Sequence, residues 1–341
     1  MLRTTMLKTI VPMAILVSWT SVATAQEPEC IRITGDQGFT QYRDLRGTPD
    51  RCWDATGATW YTQKFPERQN PYPVRLYSRN GHWKGGLIEG VNPPADNRAE
   101  ASRGGNSKAL LVQGDSRGML VEDVRIHNVW DGIQNSSKVV KSDWDNRDDW
   151  WDDDGNFKHG VTVRRVWISL SYDDCMSLTK GGVLVEDSLL DGCWISISTY
   201  EKNNNDRPVV VIRDTMMRNR AQIYKGRRGY ATFFKDGGSY GPNIEIYDSV
   251  FYLGTPGEPF TYRTPSRTLF PPQERLTKCG GNTLVWVGEG DFPPYPEECF
   301  SVVTRDSSVW DRAVAQWKSD NPQLMRASVD TLSVSAGRQA R

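Results

Sequence analysis

The sequence predicts an all-β solenoid, and three observations support this fold class. A short strand pattern recurs along the middle of the chain, its copies are unevenly spaced, and only one stretch has a helical pattern. In a solenoid each repeat packs on its neighbours, and insertions fall in the turns outside the stack. The pattern therefore predicts one elongated domain.

The first 25 residues predict an export signal. Arg3 and Lys8 give a positive start, Ile10 to Val17 is an apolar run, and Ala23 to Ala25 matches a small-residue cleavage site. The apolar run is too short to cross a bilayer. We therefore expect a secreted or periplasmic chain that begins at Gln26 and has no membrane span.

Residues 26–73 precede the recurring pattern, and we expect them to cap the first coil. An open end of a solenoid is an exposed sheet edge, which proteins usually protect. The sequence therefore predicts a cap at 26–73 and the solenoid itself at 74–290.

The recurring pattern consists of five segments that align without gaps. They are Met119 to Asp123, Val161 to Arg165, Val183 to Asp187, Val210 to Asp214, and Ile244 to Asp248. The first and third positions of each segment are apolar, which is the period-2 mark of a strand with one buried face. Three residues beyond each segment comes another apolar column: Ile126, Ile168, Leu190, Met217 and Phe251.

The segments start 42, 22, 27 and 34 residues apart, which fits a unit of about 22 residues with insertions in some turns. Other short strand patterns, such as Cys175 to Thr179 and Trp194 to Thr199, lie between them. Each unit is therefore expected to hold two or three strands.

The C-terminal part predicts one helix and a tail. Val309, Trp310, Ala313, Val314 and Trp317 fall on one helical face, behind candidate capping serines at 307 and 308. We expect residues 291–322, with this helix, to cap the last coil. Residues 323–341 are expected to be a flexible tail.

This organisation resembles the right-handed parallel β-helix of pectin-lyase-like proteins, over roughly residues 74 to 290. The resemblance implies that each coil supplies strands to long parallel sheets. A propeller is the less favoured alternative, because its repeat is longer and needs four strands.

The balance of charged residues excludes some classes of binding partner. Lys plus Arg and Asp plus Glu number 42 each, which argues against nucleic acid or an anionic membrane as the main partner. We expect a monomer. Three cysteine pairs are plausible: Cys30 with Cys52, Cys175 with Cys193, and Cys279 with Cys299. For Cys175 and Cys193, two buried thiols are the alternative to a disulfide.

Acidic residues recur after the aligned strands. Equivalent positions in neighbouring coils lie about 4.8 Å apart, so we expect Asp131, Asp173 or Asp174, and Asp191 to form a column along one sheet edge. The alternative is structural, because Asp before Gly is also an ordinary turn residue. The Asp column at 123, 187, 214 and 248 is expected to be structural.

These acids resemble part of the active site of the polygalacturonases, which hydrolyse pectin on a β-helix. Asn128 to Asp131 is a loose counterpart of the Asn-Thr-Asp of that family, and Tyr172 to Cys175 is a close counterpart of its Asp-Asp. Asp191-Gly192 occupies the place of the Gly-His-Gly motif, and Lys235 alone matches the Arg-x-Lys motif.

The resemblance implies glycoside hydrolysis by paired aspartates, which needs no cofactor. Inversion requires an acid and a base carboxyl ~6.5–9.5 Å apart. We assign Asp174 as the general acid and Asp131 with Asp173 as the pair that activates water. Asp191 is the alternative. The expected partner is a polysaccharide, and an acidic one fits the basic residues described below.

A long insertion at residues 141–156 concentrates aromatic and acidic side chains. Its tryptophans are Trp144, Trp150 and Trp151, which we interpret, with Trp194, as candidates for stacking on sugar rings. Burial against the coil is the alternative. Its candidate Ca²⁺ ligands are Asp148, Asp149, Asp152, Asp153 and Asp154. A solvated acidic loop is the alternative to a calcium site.

A basic stretch supports binding of an acidic sugar and, as a second functional hypothesis, lyase chemistry. Its residues Lys225, Arg227, Arg228 and Lys235 can bind the carboxylate or sulfate of such a sugar. They also allow a uronate lyase, in which one of the first three removes a proton while Ca²⁺ or Arg stabilises the resulting charge. A non-catalytic adhesin or polysaccharide-binding module is the third hypothesis, since the fold does not imply activity.

Overall fold

The computed structural model describes residues 29–62, 72–90, 108–137, 157–178, 182–199, 208–236, 241–258 and 269–326. The predicted export signal and the residues after 326 lie outside these ranges.

The regular elements of the described chain are almost all short strands, numbered here in chain order. They are β1 (Ile31–Arg32), β2 (Gly35–Gly38), β3 (Tyr42–Asp44), β4 (Cys52–Asp54), β5 (Ala58–Thr62), β6 (Val74–Leu76), β7 (His82–Lys84), β8 (Leu87–Gly90), β9 (Lys108–Gly114), β10 (Met119–Glu122), β11 (Arg125–His127), β12 (Asp131–Ser137), β13 (Val161–Arg164), β14 (Trp167–Ser169), β15 (Asp174–Ser177), β16 (Val183–Glu186), β17 (Leu189–Cys193), β18 (Ile195–Thr199), β19 (Val209–Arg213), β20 (Met216–Asn219), β21 (Gln222–Tyr224), β22 (Arg227–Gly229), β23 (Thr232–Asp236), β24 (Asn243–Tyr247), β25 (Val250–Leu253), β26 (Leu276–Gly280), β27 (Asn282–Trp286) and β28 (Phe300–Thr304). A 3-10 helix, Glu297–Cys299, and two α-helices, α1 (Ser308–Asp320) and α2 (Pro322–Arg326), complete the elements.

Three long parallel sheets run the length of the molecule. Sheet A has the order β1-β4-β7-β10-β13-β16-β19-β24-β26, and sheet B has the order β2-β5-β8-β11-β14-β17-β20-β25-β27-β28. Sheet C has the order β3-β6-β9-β12-β15-β18-β23. In the full coils the chain passes through A, B and C in turn, and the described residues contain one antiparallel pair, the hairpin β21-β22. The predicted parallel β-helix is confirmed.

The register of sheets A and B follows the gapless alignment of the repeats. Met119 pairs with Val161, Val161 with Val183, Val183 with Val210, and Val210 with Ile244. The second predicted column, from Ile126 to Phe251, is also continuous from strand to strand. Because a slip of one residue would expose every buried side chain, the apolar pattern fixes this register.

The corner between sheets A and B explains the fifth position of each repeat. Asp123, Arg165, Asp187, Asp214 and Asp248 all have positive φ, between 44° and 58°. Asp visits this left-handed conformation more readily than most residues do. The structural interpretation of this Asp column is therefore confirmed by its backbone conformation.

The core lies inside the coils, where inward side chains from the sheets stack in columns. One such column, in sheet A, runs through Val121, Val163, Val185, Ile212 and Ile246, each at most 2% exposed. β-branched residues suit such rows because their side chains pack well on a pleated surface.

Two boundaries differ from the expectation. The strands β1 to β5 already pair within the sheets, so the coils begin at Ile31 rather than at residue 74. Helix α1 does not close the last coil. Trp310 and Trp317 pack with Leu189, Met216 and other residues on the outer face of sheet B.

The short helix α2 extends the same covering, with Leu324 only 1% exposed. Gln323 donates a hydrogen bond to Asp123, 2.8 Å away, and Trp317 donates one to the Asp187 side chain, 2.9 Å away. The two helices therefore run back along sheet B, and residues 323–326 of the predicted tail belong to α2.

All six cysteines form disulfides, in the three predicted pairs. Cys175–Cys193 joins the start of β15 to the end of β17, so the alternative of two buried thiols is wrong. No helix in the described part of the chain is long and apolar enough to cross a membrane.

Candidate active site

Two of the predicted acids meet where neighbouring strands of sheet C begin. Asp131 is the first residue of β12 and Asp174 is the first residue of β15. Ile133 faces Met176 on the adjacent strand, so the two aspartates, each two residues earlier, occupy equivalent positions. The Asp174 backbone N–H donates to Oδ1 of Asp131 at 3.3 Å. The structure therefore brings these two acids together.

Asp131 is 6% exposed and lies against a cation. Lys108, the first residue of β9, places its Nζ 3.0 Å from Oδ2 of Asp131 and 5.5 Å from the centre of the Tyr72 ring. Burial opposes the charge on Lys108, but Asp131 and Tyr72 outweigh it, so the pKa of Lys108 is raised. Asp131 thus forms an ion pair with Lys108.

Asp174 is as buried as Asp131, at 6% exposed, but its electrostatic surroundings differ. Its burial, together with the nearby Asp173 and Asp131 carboxylates, raises its pKa well above the usual value of 3.8. Lys235 Nζ, 3.7 Å from Oδ1 of Asp174, and the Ser198 hydroxyl only partly offset the shift. Asp174 is therefore disposed to keep a proton.

Asp173 lies beside the pair and is half-buried. Its backbone N–H donates to the carbonyl of Trp130 at 2.9 Å, which fixes the approach of the chain to β15. Its carboxylate is the strongest of the neighbouring charges that raise the pKa of Asp174.

Asp131 and Asp174 thus have contrasting environments. A carboxyl group with a raised pKa next to a carboxylate held by a cation is the usual arrangement of a general acid beside a base or nucleophile. Such a pair can protonate a leaving group while the other member attacks or activates water.

Asp191 does not belong to this column, which corrects the prediction. It pairs with Ser169 and Arg218 in sheet B, whereas Ile195 occupies the position next to Asp174 in sheet C. The register shifts between Asp191 and Cys193, so Gly192 is a bulge that the alignment of the acids did not anticipate. Asp191 instead pairs with Arg218, with 2.5 Å between Oδ1 and Nε.

Two of the predicted groups of sugar-binding residues do not lie beside the acid pair in the way that the sequence suggested. Trp194 is 2% exposed, so its indole presents no face for a sugar ring, because it is enclosed at the turn into β18. Lys225, Arg227 and Arg228 lie on the exposed hairpin β21-β22, where Arg228 is 3.5 Å from Glu258. Among the predicted basic residues, Lys235 is the one that contacts the acid pair.

The insertion at 141–156 lies outside the described residues. Its candidate stacking tryptophans are Trp144, Trp150 and Trp151, and its candidate calcium ligands are Asp148, Asp149, Asp152, Asp153 and Asp154. Within the described ranges, no group of three or more His, Cys, Asp or Glu side chains is arranged to hold a metal ion.

Lys108 and Tyr72 were missed by sequence reasoning. Tyr72 donates a hydrogen bond to Oε1 of Gln134 on β12, and burial, followed by the charge of Asp131, keeps its pKa near 12 although Lys108 opposes the shift. Lys108 precedes an apolar alternation, Leu110 and Val112, that matches Ile133 in register. This alternation was the signal that could have placed Lys108 beside Asp131.

Comparison of the chain with protein-family models, with curated proteins and with solved structures found no match.

Proposed function

We propose that this protein is an exported carbohydrate-active enzyme that hydrolyses a polysaccharide along sheet C, with Asp174 and Asp131 as its reacting carboxyl groups. The observation that carries the proposal is the contrast within this buried pair: one carboxyl is disposed to stay protonated, and the other forms an ion pair with Lys108. Glycoside hydrolysis by paired carboxyl groups needs both kinds at one bond.

In this mechanism Asp174 donates its proton to the glycosidic oxygen as the bond breaks. Lys235, 3.7 Å away, then stabilises the carboxylate that remains on Asp174. Lys108 keeps Asp131 oriented through the 3.0 Å contact. No step requires a cofactor, so cleavage is expected to persist in the presence of a calcium chelator.

The spacing of the pair favours one stereochemical course. Equivalent backbone positions on neighbouring strands are ~4.8 Å apart, so parallel side chains hold their carboxyl groups at a separation nearer the ~5–5.5 Å of retaining enzymes than the ~6.5–9.5 Å of inverting ones. We therefore propose Asp131 as the nucleophile, and water then hydrolyses the glycosyl-Asp131 ester with the Asp174 carboxylate as base. The inverting reaction expected from the sequence would instead use a base that activates water, and half-buried Asp173, the more exposed of the two neighbouring carboxylates, is the candidate for it.

Supporting features come from the rest of the chain. The three disulfides fit an oxidising compartment, in agreement with the predicted export signal. Two of the longer insertions lie in sequence next to strands of sheet C, since residues 91–107 precede β9 and residues 138–156 follow β12. The pectin-lyase-like resemblance of the coil pattern is consistent with an extended substrate.

The test is cleavage of a panel of acidic and neutral polysaccharides by wild type and by Asp174→Asn. We expect wild type to release reducing ends without an unsaturated, ultraviolet-absorbing product, and the variant to lose about 10²–10⁴-fold of the rate. Asp291→Asn, at an exposed aspartate, is the matched control and should retain full activity.

Full activity of Asp174→Asn would remove the acid pair from the mechanism. An unsaturated product would replace hydrolysis by lyase chemistry, and retardation on a polysaccharide gel without cleavage would indicate a binding module. Proton NMR of the first product reports the anomer: retention supports Asp131 as nucleophile, and inversion supports Asp173 as base.

A further inference from the structure

A second polar site lies on the outer face of sheet B, at the corner that leads into sheet C. A cavity of about 290 Å³ is lined there by Ser169, Asp191, Arg218, Arg220, Tyr252 and Thr255, together with neighbouring backbone. Asp191, Arg218 and Tyr252 are consecutive in register across β17, β20 and β25. The stacking of coils therefore builds this site from three separate turns of the chain.

Gly192 lines the cavity. It is the bulged residue of β17, with φ of 83°, and a Cβ on it would lie at van der Waals distance from two lining residues, 3.5 Å from Leu170 and 3.8 Å from Arg220. The positive φ favours glycine at this position. The Asp-Gly bulge that takes Asp191 out of the acid column thus contributes to the cavity.

The cavity carries an excess of positive charge. Its lining includes two guanidinium groups and one carboxylate, with Arg218 Nε 2.5 Å from Oδ1 of Asp191. Arg218 also lies 5.9 Å from the Tyr252 ring centre and 5.8 Å from that of Trp310. Its position is therefore set by a carboxylate and two aromatic rings.

Arg220 is held differently, with its guanidinium carbon 5.1 Å from the centre of the Tyr172 ring. A guanidinium over an aromatic ring uses its face, while its N–H donors lie along its edge and suit a carboxylate or sulfate. Two guanidinium groups lining one small cavity repel each other, and a bound anion relieves that repulsion.

The cavity is close to the acid pair along the chain and in space. Tyr172, under Arg220, directly precedes Asp173 and Asp174. An extended ligand that places a charged group against Arg220 can therefore continue over the corner toward β15.

We propose that this cavity binds the acidic group, a carboxylate or a sulfate, of an anionic sugar in the polysaccharide. The substrate of the proposed hydrolysis would then be an anionic polysaccharide, and this role rests on the function proposed above. Binding of the anionic sugar does not itself depend on cleavage. Asp191 takes part as a competitor, because its carboxylate occupies Arg218 when no ligand is bound.

The test uses the full mature chain with Asp174→Asn as background, so that oligosaccharides are bound without being cleaved. Isothermal titration calorimetry is performed with trigalacturonate, a sulfated galactotriose and neutral galactotriose. We expect one or both acidic probes to bind and the neutral one to bind at least tenfold more weakly, because charged hydrogen bonds are the stronger ones. The two acidic arms distinguish carboxylate from sulfate.

Added substitutions locate the binding. Arg220→Gln should weaken acidic-probe binding at least tenfold, whereas Arg32→Gln, at an exposed arginine of β1 in the first coil, should leave it unchanged. Asp191→Asn should strengthen binding several-fold and steepen its salt dependence, since it releases Arg218. A role of Asp191 that is only structural predicts no gain.

The proposal is overturned if neither acidic probe binds, if the neutral probe binds as tightly as the acidic ones, or if Arg220→Gln binds like its parent. Thermal melts of each variant verify that it is folded. Cleavage by wild type is measured separately, so failure of the cavity proposal leaves the acid-pair proposal standing, and the reverse also holds.

Discussion

At the scale of single residues, the pKa of Asp174 is the property on which the proposed chemistry depends. Burial is the largest cause of its rise, and the Asp173 and Asp131 carboxylates add to it. A raised native pKa also costs stability. Wherever the unfolded chain has released the proton and the native chain has kept it, the free energy of unfolding falls as pH rises.

Asp174→Asn should remove this pH dependence. The native pKa lies above the ordinary 3.8, so wild type loses stability as pH rises from about 4 toward the native pKa, and Asn cannot ionise. We expect the variant's advantage in free energy of unfolding to grow as pH is raised above about 4 in urea titrations. An advantage that shrinks with rising pH would contradict the shift, and Asp291→Asn should show no trend.

The residue scale is also where sequence reasoning was least reliable. Asp131 and Asp174 could be placed together because each begins a strand at the same distance from a buried apolar residue. The position of Asp191 could not be predicted, because the bulge at Gly192 leaves Asp191 in sheet B rather than sheet C. The sequence Asp-Gly-Cys alone does not distinguish a bulge from a turn. Trp194 carried no signal that it would be enclosed.

At the scale of elements, the corner between sheets A and B stacks aspartates on neighbouring coils. Arg213 pairs with Tyr247, so Asp214 and Asp248, the next residues, are adjacent. Burial and then the Asp248 charge raise the pKa of Asp214, which Arg213 partly offsets. The left-handed backbone is thus obtained at the cost of like-charge repulsion.

Asp214→Asn should therefore stabilise the protein at neutral pH by about 0.2–1 kcal/mol, because Asn keeps the left-handed preference without the charge. The gain should shrink in about 1 M salt, where the repulsion is screened. Denaturant titrations at low and high salt provide the measurement. Asp214→Ala is the control, and should destabilise because φ is 49° at this position; equal effects of Asn and Ala would contradict the explanation.

The disulfide Cys175–Cys193 fixes the element that presents Asp174. It closes a loop of 18 residues between β15 and β17, which is expected to contribute about 3 kcal/mol. We expect the double substitution Cys175→Ala and Cys193→Ala to lower both the free energy of unfolding and kcat, because Cys175 follows the proposed acid.

The pair Cys279 and Cys299, 20 residues apart at the far end of the coils, is the matched control. Its removal should cost similar stability but leave kcat unchanged. A similar loss of kcat in both double variants would show that Cys175–Cys193 has no particular role in positioning Asp174.

Elements were predictable where the apolar pattern repeats. The five aligned segments defined the register of sheets A and B because inward residues recur with period 2. The first coil was not predicted because its strands, such as Gly35–Gly38, carry few apolar residues, and the second was not because its first strand, Cys52–Asp54, is too short to show the five-residue pattern. The helical face of α1 was visible, but the surface that it covers depends on outward-facing residues such as Leu189 and Met216, which any sheet face can carry.

At the scale of the whole molecule, the coils contact mainly their immediate neighbours, and the two helices are the exception. Trp317 reaches Asp187 on the sixth coil, Gln323 reaches Asp123 on the fourth, and Trp310 packs on Tyr252 on the eighth. The helices are covalently continuous, so the distances between these anchors are fixed together.

The helices on sheet B therefore fix how many coils can lie between these anchors. A duplicate of residues 161–182 would push the Asp123 and Asp187 anchors one rung, ~4.8 Å, further apart, and the helices could grip only one of them. A duplicate of residues 52–81 adds its rung before the first anchor, and should leave the melting temperature nearly unchanged. Ala replaces the copied cysteine in each duplicate. Equal melting temperatures would show that the helices do not limit the number of coils. A lower melting temperature for the 161–182 duplicate would mean that coils can be added before the part of sheet B that the helices cover, but not within it.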